Sequence, residues 1–562
     1  MSPRTLCAGV IATLMACLPA SAQLRVVTYN ISALEGNTTD LQAVLAACHA
    51  DDVVGPAQPI DIMCFQECPQ AAVGPLGTLL ANSAPAGVTY TLATYTTSSS
   101  EDNATGAQAL FYRTGRLTEI TTGHADLFTG GGRNSDRWLL QLTGYTSTDA
   151  RLYVYSSHLK ASTGSANESA RLSGATTLRT NADALPAGSN IIFLGDYNMY
   201  TNTESGYQAM TTGGVHPAID PWGTADWTGQ SNAIKHSQSP RLTNTNLVGG
   251  GVDDRFDLHL FTAALNDGAG LAYLPGTVRT IGNDGNHFDI AINTGNNTYY
   301  PNNIARSNAL ANALHEASDH MPVIVEYQIP ASMSASLQAL PPRVLVGAAV
   351  PVRAVISNVA SGVWAAGIDD LPFSVTGSQF VVGSTSGQAP LAPATAIGQL
   401  ALNTSSAGTA SGIVTVSTTA QAAANSTIQL PVSVQVSAHA NPSFSTTIDQ
   451  DTRPLTWAFP SGTANAEIDV SMANFGFAGS ASLLLVDSIE SSGQPISAVA
   501  GLGSQVGATP ATIRLRLPGS AAMAPGSYPA TVLIRTSDEV LLGRQFYAST
   551  LAVTITVEGA TR

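Results

Sequence analysis

Four short segments of this chain each place a carboxylate, a carboxamide or an imidazole at the end of an apolar run. A hard divalent cation and a phosphate group require these side-chain types, and one layered fold can deliver them from several strand ends. No single segment is specific, because each residue taken alone also fits a turn or a surface position. The segments are Tyr29-Asn30, Gln66-Glu67, Gly195-Asp196-Tyr197-Asn198 and Ser318-Asp319-His320.

The carboxylates and carboxamides divide into groups for a cation and groups for a phosphate. Glu67 follows a buried strand and is placed to bind a cation directly, and Asp319 can join it. Asn30 can hold a phosphate oxygen or support the cation. Asp196 and Asn198 are two residues apart, so an extended backbone points both to one face. One of them can then steer or deprotonate a water while the other holds the phosphorus-bound oxygen.

The imidazoles add positive charge to the same chemistry. His158 and Lys160 lie on one face of the segment 156–160 and suit the charge that builds up on phosphate oxygens in a transition state. His320 can contact the phosphate or move a proton if a carboxylate fixes its tautomer. Asp257 and Asp289 are the two candidates for that carboxylate, and Asp257 is favoured.

The elements that must position these side chains alternate between strand and helix up to Pro330. Apolar runs predict strands over residues 24–29, 60–65, 151–156 and 191–194, and helical spacing predicts a helix over residues 40–47. Ser165 to Glu168 reads as a capping box that begins a second helix. This alternation predicts a layered α/β or α+β enzyme scaffold over residues 23–330.

After Pro330 the helical periodicity ends and short Val/Thr/Ser alternations are separated by turn residues, which predicts β-sandwiches. A linker-like stretch near residue 440 divides this part into two units, residues 331–439 and 440–562. Their expected role is spacing, adhesion or stabilisation, including contact with a cell surface or a polysaccharide. Trp364, Trp457 and Phe459 fit core positions better than a ligand face.

Residues 1–22 have the features of a secretory signal peptide, namely a basic start, an apolar stretch and the site Ala20-Ser21-Ala22. The alternative is a lipoprotein signal around Cys17, which fits less well. The expected location is therefore extracellular or periplasmic. No later segment is apolar enough for a membrane span. The mature chain keeps three cysteines, for which the expectation is a disulfide between Cys48 and Cys68, with three unpaired buried thiols as the alternative.

Negative charge is concentrated in the first part of the chain. Residues 23–330 hold 14 Lys+Arg against 27 Asp+Glu, whereas residues 331–562 hold 8 against 11. Such a surface repels polyanions at long range, which disfavours tight non-specific binding of nucleic acid without a cation in the site.

The order of these motifs resembles that of the endonuclease/exonuclease/phosphatase superfamily, which includes DNase I, and its secreted bacterial members in particular. The likeness covers about residues 24–328 and includes both motif order and approximate spacing. It implies a four-layer α/β/β/α sandwich of the DNase I type, followed here by two all-β immunoglobulin-like sandwiches. It also implies Mg²⁺ as the cofactor, with Mn²⁺ or Ca²⁺ as alternatives.

Carried over by position, the resemblance implies a role for each candidate residue. Metal ligation falls to Glu67, Asp319 and Asn30, and catalysis to Asp196, Asn198, His158, His320 and Asp257. Phosphate binding falls to Lys160, Arg113 and Arg171, although Arg113 fits a structural ion pair equally well.

Three functions remain open at this stage. The first is a secreted, monomeric nuclease or phosphodiesterase that hydrolyses a phosphate ester, nucleic acid being one candidate substrate, by direct attack of water. The second is a phosphomonoesterase or a phospholipid-directed phosphodiesterase with the same site. The third, of another class, is a non-catalytic surface-binding protein that acts through its C-terminal sandwiches.

Overall fold

The computed structural model describes residues 23–96, 107–130, 133–361 and 364–559. The predicted signal peptide, residues 1–22, lies outside the described residues. None of the helices in these ranges combines the length and the apolar character that crossing a bilayer requires.

Thirteen strands and five helices build the first part of the chain within the described ranges. The strands are β1 Gln23–Asn30, β2 Ile62–Gln66, β3 Tyr90–Leu92, β4 Gln108–Arg113, β5 Leu117–Glu119, β6 Ala125–Gly130, β7 Arg133–Leu142, β8 Arg151–His158, β9 Ile191–Asp196, β10 Asp257–Phe261, β11 Ala272–Tyr273, β12 Arg279–Thr280 and β13 Val323–Gln328. The helices are α1 Thr38–Ala50, α2 Gln70–Ser83, α3 Ser165–Asp183, α4 Ser205–Thr211 and α5 Ile304–Ala317. Short 3₁₀ turns are Ser32–Leu34, Thr121–Gly123, Thr148–Ala150, Gln230–Lys235 and Ala263–Leu265.

These strands form two sheets with a parallel pair in each. The first sheet has the order β11-β13-β1-β2-β4-β3 with β12 paired to β13, and the second has the order β10-β9-β8-β7-β5 with β6 paired to β7. β1 and β2 run parallel, as do β8 and β9. A parallel neighbour needs a crossover, and α1 and α3 lie in these two crossovers.

Three apolar clusters define four layers. One cluster joins α1, α2 and α5 to the outer face of the first sheet, and another joins α3 and α4 to the outer face of the second sheet. The third lies between the two sheets and includes Val26, Cys64, Trp138 and Leu194. The predicted α/β/β/α layering is therefore present.

The N-terminus of α3 does not have the expected capping box. Gly164 is the N-cap, and no side-chain hydrogen bond caps the helix. The Gly164 carbonyl instead accepts from the amides of Asn167 and Glu168, both at 3.0 Å. Gly164 has φ +101°, a conformation that favours glycine, so the backbone begins this helix without help from Ser165.

The rest of the described chain is all β, apart from the 3₁₀ turns Ala365–Gly367 and Ser520–Ala522. The first group of strands is β14 Met333–Leu337, β15 Arg343–Leu345, β16 Pro351–Asn358, β17 Leu371–Gly377, β18 Val381–Val382, β19 Ser384–Ala389, β20 Ala396–Leu402, β21 Gly408–Thr418 and β22 Thr427–Ser437. The second group is β23 Pro442–Ser443, β24 Thr452–Pro460, β25 Ala466–Asn474, β26 Leu484–Ser492, β27 Ser497–Ala500, β28 Gln505–Val506, β29 Ala511–Leu517, β30 Gly526–Asp538 and β31 Phe546–Glu558.

Each group folds into a four-stranded sheet packed on a five-stranded sheet. The first has the orders β14-β16-β20-β18 and β15-β22-β21-β17-β19, and the second has β23-β25-β29-β27 and β24-β31-β30-β26-β28. One apolar cluster fills each sandwich. Trp457 and Phe459 are buried in the second cluster, in agreement with a core role.

The first sandwich packs against the end of the layered part. Ile368 and Ala422 belong to the same apolar cluster as Tyr327, which lies between the two sheets of the layered part. The Tyr145 hydroxyl also donates to the Pro330 carbonyl at 2.6 Å. The first sandwich therefore completes the base of that core.

All three described cysteines are unpaired and buried, so the expected disulfide between Cys48 and Cys68 is wrong. Cys48 lies in α1 and Cys68 follows β2, and both are packed into the helix-facing cluster as apolar side chains. Cys64 lies in the cluster between the sheets. Free cysteine commonly fills such positions as a small hydrophobe.

Candidate active site

The chain ends of two parallel strand pairs bring most of the predicted residues to one edge of the layered part. Asn30 ends β1 and Glu67 directly follows β2, while His158 ends β8 and Asp196 ends β9. His158 and Asp196 are direct partners in the β8–β9 register. The carboxyl ends of parallel strands meet at one sheet edge, and here the edges of two sheets coincide.

The Asn30 carboxamide joins the two sheets at this edge. Its Nδ2 donates to Glu67 Oε1 and to Asp196 Oδ2, both at 3.1 Å. Its Oδ1 accepts from the Ser32 amide at 3.0 Å. In this arrangement the Asn30 oxygen is turned to the backbone and its nitrogen holds two carboxylates together, and a metal role for Asn30 stays a prediction.

Two histidines enclose the same carboxylates. His158 Nε2 lies 3.2 Å from Asp196 Oδ2, and His158 Nδ1 lies 3.8 Å from Glu67 Oε1. His320 Nε2 lies 3.6 Å from Asp196 Oδ2 on the other side. We refer to Glu67, His158, Asp196, Asp257 and His320 as the site cluster.

Asp257 is the carboxylate that holds His320. Its Oδ2 lies 2.7 Å from His320 Nδ1 and accepts from Ser237 Oγ at 2.6 Å. Asp257 lies in β10 opposite Asp196, so the sheet register brings it to His320, whereas Asp289 lies in a loop with φ +56°. Burial opposes protonation of His320, but Asp257 and Asp196 raise its pKa to about 10.

The two central carboxylates lack enough positive charge. Burial raises the pKa of Glu67 to about 7, and Asp319 and Asp196 add to the effect against the hydrogen bond from Asn30. Burial also raises the pKa of Asp196 to about 6, with His320 opposing and Asp257 adding. Ionised carboxylates this close together call for a further cation.

Asp319 and Asn198 are placed next to this cluster by loop backbone. The Asp319 carboxylate accepts from the Ser32 hydroxyl and from the Val248 amide, the latter at 3.0 Å. Asn198 has φ +52°, its amide donates to Asp196 Oδ1 at 3.0 Å, and its Nδ2 donates to the Leu159 carbonyl at 3.3 Å. The extended geometry expected for 196–198 is therefore wrong, because β9 ends at Asp196 and the chain turns.

Two of the predicted phosphate-binding residues are placed elsewhere. Arg113 lies at the far end of β4, where its guanidinium is 3.4 Å from Asp61, so the structural ion pair is the correct alternative. Arg171 is buried and bonds Glu204 at 2.8 Å and the carbonyls of Lys160 and Ser162. Its donors are thus engaged inside the protein. A phosphate contact of Lys160 stays a prediction.

Sequence reasoning missed Arg133, Gln238 and Asp254. Arg133 begins β7 and is 9% exposed; burial lowers its pKa, while Asp196 and Glu67 oppose the shift. Gln238 Nε2 lies 2.8 Å from His320 Nε2. Burial and Asp253 raise the pKa of Asp254 to about 7, with His320 opposing. The run of three glycines before Arg133 indicates a turn, but it gives no signal for the arginine itself.

The carboxylates of the site cluster are the ligand type that a hard divalent cation takes, and the metal itself stays a prediction. Among the described residues, no group of three or more His, Cys, Asp or Glu is arranged to hold a metal ion by itself. Mg²⁺ commonly uses one or two carboxylates and fills its other positions with water and substrate oxygens. Glu67, whose side chain is 20% exposed beside otherwise buried partners, is the group best placed for such an ion.

No protein-family model and no curated protein matches the chain. Solved structures do match. D. rerio TDP2 complexed with single strand DNA product is 15% identical, with 55% of this chain and 100% of that chain covered and a TM-score of 0.36. The human Nocturnin catalytic domain with bound sulfate is 17% identical, with 55% and 96% covered and a TM-score of 0.32.

A third match is the endonuclease/exonuclease/phosphatase of Beutenbergia cavernae, 14% identical, with 74% of this chain and 100% of that chain covered and a TM-score of 0.30. Likenesses at these TM-scores carry no argument about what this chain does.

Proposed function

We propose that this protein is a divalent-metal-dependent phosphodiesterase of the endonuclease/exonuclease/phosphatase type, with nucleic acid as a candidate substrate. One observation carries the proposal: Glu67 and Asp196, from different sheets, share one amide donor and are enclosed by His158 and His320. Charged groups are gathered in this way at sites that act on charged substrates.

Glu67, helped by Asp319, would hold the cation. A bound Mg²⁺ would supply neutralisation of charge on the phosphate oxygens. Arg133 adds a second positive charge near the phosphate, because its guanidinium interacts electrostatically with both Glu67 and Asp196. Asn30 keeps the two carboxylates at a fixed separation.

Asp196 is the group proposed to orient the attacking water and take its proton. Its pKa of about 6 leaves it ionised near neutral pH and able to accept a proton. The water oxygen bonds to phosphorus as the bond to the leaving oxygen breaks, with no covalent enzyme intermediate. His320, kept protonated by Asp257, stabilises the negative charge on the phosphate oxygens, and His158 fixes the Asp196 carboxylate.

The charge balance supports a diester over a monoester. Four carboxylates, Glu67, Asp196, Asp257 and Asp319, surround the site, whereas the nearby basic side chains are His158, His320 and Arg133. A diester brings one negative charge and a monoester brings nearly two at neutral pH, so the diester meets less repulsion.

We further propose that the chain is exported, on the strength of residues 1–22, and that the sandwiches are immunoglobulin-like modules. Their two-sheet architecture, with one apolar cluster filling each sandwich, supports a spacing or adhesive role.

The test is hydrolysis of plasmid, single-stranded DNA, RNA, bis-nitrophenyl phosphate, a phosphomonoester and phospholipid, with Mg²⁺, Mn²⁺ or Ca²⁺ and with chelator. Chelation should abolish turnover, and diesters should be preferred. Asp196→Ala and His320→Ala should each lose about 100-fold or more of kcat with the fold retained, as loss of a preorganised charge does elsewhere.

Asp469→Ala, at an exposed pair on the second sandwich, is the matched control and should keep full activity. Undiminished turnover in Asp196→Ala or His320→Ala would refute the assigned roles. Equal turnover with chelator would refute the metal requirement, and a preference for the monoester would refute the diester assignment.

A further inference from the structure

A half-exposed tyrosine stands beside the site cluster and belongs to no part of the proposed chemistry. Tyr200 lies four residues after Asp196, in the loop that leaves β9. Its ring packs edge-on against Phe256 with centroids 4.8 Å apart and planes at 78°. Phe256 is itself nearly buried, so the contact leaves Tyr200 as the partly open member of the pair.

Buried charged groups fix the position of Tyr200. The Tyr200 amide donates to Glu204 Oε1 at 2.8 Å, and Glu204 also accepts from Arg171 Nε at 2.8 Å and from Arg171 Nη2 at 3.1 Å. The Arg171 guanidinium lies 5.5 Å from the centre of the Tyr200 ring. Arg171, which does not reach the phosphate site, therefore serves to hold this aromatic ring in place.

Asp254 lies on the segment that also carries Phe256, the packing partner of Tyr200. Gln238 forms two isolated antiparallel β-bridges, one with Asp254 and one with His320. Residues directly opposite in an antiparallel pair point to one face, so Asp254, Gln238 and His320 share a face. Asp254 is half-buried, and no hydrogen bond from the described residues reaches its carboxylate.

Asp254 lies two residues before Phe256, against which the Tyr200 ring packs, and the Tyr197 backbone amide donates to the Phe256 carbonyl at 2.8 Å. Tyr200 and Asp254 are therefore neighbours beside the Asp196 end of β9. After burial, Asp254 is the largest influence that raises the pKa of Tyr200, in agreement with this placement. A rigid aromatic ring and an unsatisfied acceptor at this point can recognise a planar group that carries N–H donors.

We propose that Tyr200 and Asp254 form a subsite for the group esterified to the phosphate and that this group is a nucleobase: Tyr200 stacks on its face and Asp254 accepts a hydrogen bond from its N–H. This subsite rests on the proposed phosphodiesterase function and narrows its substrate class to nucleotide diesters.

The test compares two diesters that differ only in their bases, thymidylyl-thymidine and its analogue with both bases replaced by hydrogen. Tyr200→Ala should raise KM for the base-bearing diester between about 5-fold and about 100-fold, with kcat nearly unchanged, as loss of one base–aromatic stack does. Tyr200→Phe should retain most of the affinity. Asp254→Asn should raise KM about 3-fold to about 10-fold, because the carboxamide oxygen is a weaker acceptor. All three variants should leave KM for the abasic diester unchanged.

Tyr153→Ala is the matched control, since Tyr153 is also half-buried under an arginine, with Arg137 5.7 Å from its ring centre, but lies in the middle of β8. It should change neither KM. An equal loss on both diesters in Tyr200→Ala, or no loss on either, would overturn the subsite.

If the wild-type protein hydrolyses neither diester, the proposed function fails and the subsite is judged by binding alone. Calorimetric titration with thymidine 5′-phosphate should then show weaker binding to Tyr200→Ala than to the wild-type protein by a similar factor. Equal binding to the two proteins, or no binding to the wild-type protein, would overturn the subsite independently of turnover.

Discussion

Two buried charge clusters lie at opposite ends of β1, and they differ in how their charges are balanced. The base cluster consists of Arg25, Asp51, Arg279 and Glu326. The site cluster lies about 17 Å away along β1, because a strand rises about 3.3 Å per residue from Arg25 to Asn30. In the base cluster two arginines meet two carboxylates, with Arg25 Nη2 2.8 Å and Arg279 Nη2 3.0 Å from Glu326 and Arg279 Nε 2.5 Å from Asp51.

The direction of the pKa shifts separates the two clusters. In the base cluster, Asp51 and Glu326 raise the pKa of Arg279 in spite of its burial, so each charge has a partner. In the site cluster, the pKa values of Glu67 and Asp196 are raised, so their ionised carboxylates lack a sufficient partner of opposite charge. The first arrangement stabilises the fold as it stands, whereas the second is suited to a cation and a substrate.

Removing one charge from the base cluster should give the largest loss of stability. Arg25→Met leaves Glu326 without the nearer of its two arginines and also removes donors to the carbonyls of Cys48 and Asp51. We expect the free energy of unfolding to fall by about 3 to 5 kcal/mol, as for other broken buried pairs. Urea denaturation monitored by circular dichroism measures it.

Arg514→Met is the matched control, because Arg514 forms a two-bond pair with Asp469 with both side chains about half exposed. Its loss of stability should be far smaller than that of Arg25→Met, because solvent screens an exposed ion pair. Similar costs for the two variants would mean that the base cluster contributes no more than a surface pair.

The site cluster should respond in the opposite way. Glu67→Gln keeps an acceptor for Asn30 and removes a poorly compensated charge, so the free energy of unfolding without metal should stay the same or rise. Turnover with Mg²⁺ should fall by about 100-fold or more, because the group proposed to hold the cation is lost. Initial rates and urea denaturation of the same preparation provide both values. A destabilised variant with intact turnover would reverse the comparison.

A smaller effect is expected in the pH dependence of stability. Folded Glu67 and Asp196 bind protons more tightly than the unfolded chain, so in chelator the free energy of unfolding should fall as pH rises from about 4 to about 7. His320, whose pKa is raised to about 10, extends the fall above pH 6.5. Glu67 should contribute at most about 3 kcal/mol.

Urea denaturation at pH 5 and pH 7.5 tests this sign. Glu67→Gln should show a smaller fall than the wild-type protein, and Mg²⁺ should reduce the fall in the wild-type protein because a bound cation favours ionised carboxylates. Identical pH dependence in the two proteins would contradict the raised pKa of Glu67.

The sequence predicted the strands that carry the site well. The predicted strands over residues 24–29 and 191–194 lie within β1 and β9, since apolar runs at strand length leave little choice once both faces of a strand are buried. Asp257 was correctly favoured as the partner of His320. The second helix begins at Ser165 as the sequence predicted, and its residues Ala175, Leu178 and Ala182 are buried.

The errors concern side chains whose role depends on a distant partner. Arg113 and Arg171 have the right charge for a phosphate, but Asp61 and Glu204 hold them elsewhere. Asn30 is correctly placed at the strand end, yet the Ser32 amide decides which of its atoms faces the carboxylates. Arg133 and Gln238 carried no motif, because only the packing of two sheets brings them to the site. Asp254 lies in the segment that carries Asp257, but the sequence assigned it no role of its own.

The sequence by itself determined which strands form, where they end and which polar residues stand at those ends, because local apolar patterning and chain direction fix these properties. Only the tertiary structure decided which charges are compensated. Compensation depends on a few ångströms between groups that are far apart in the chain, such as Asn30 and Asp196, and no local pattern records that distance.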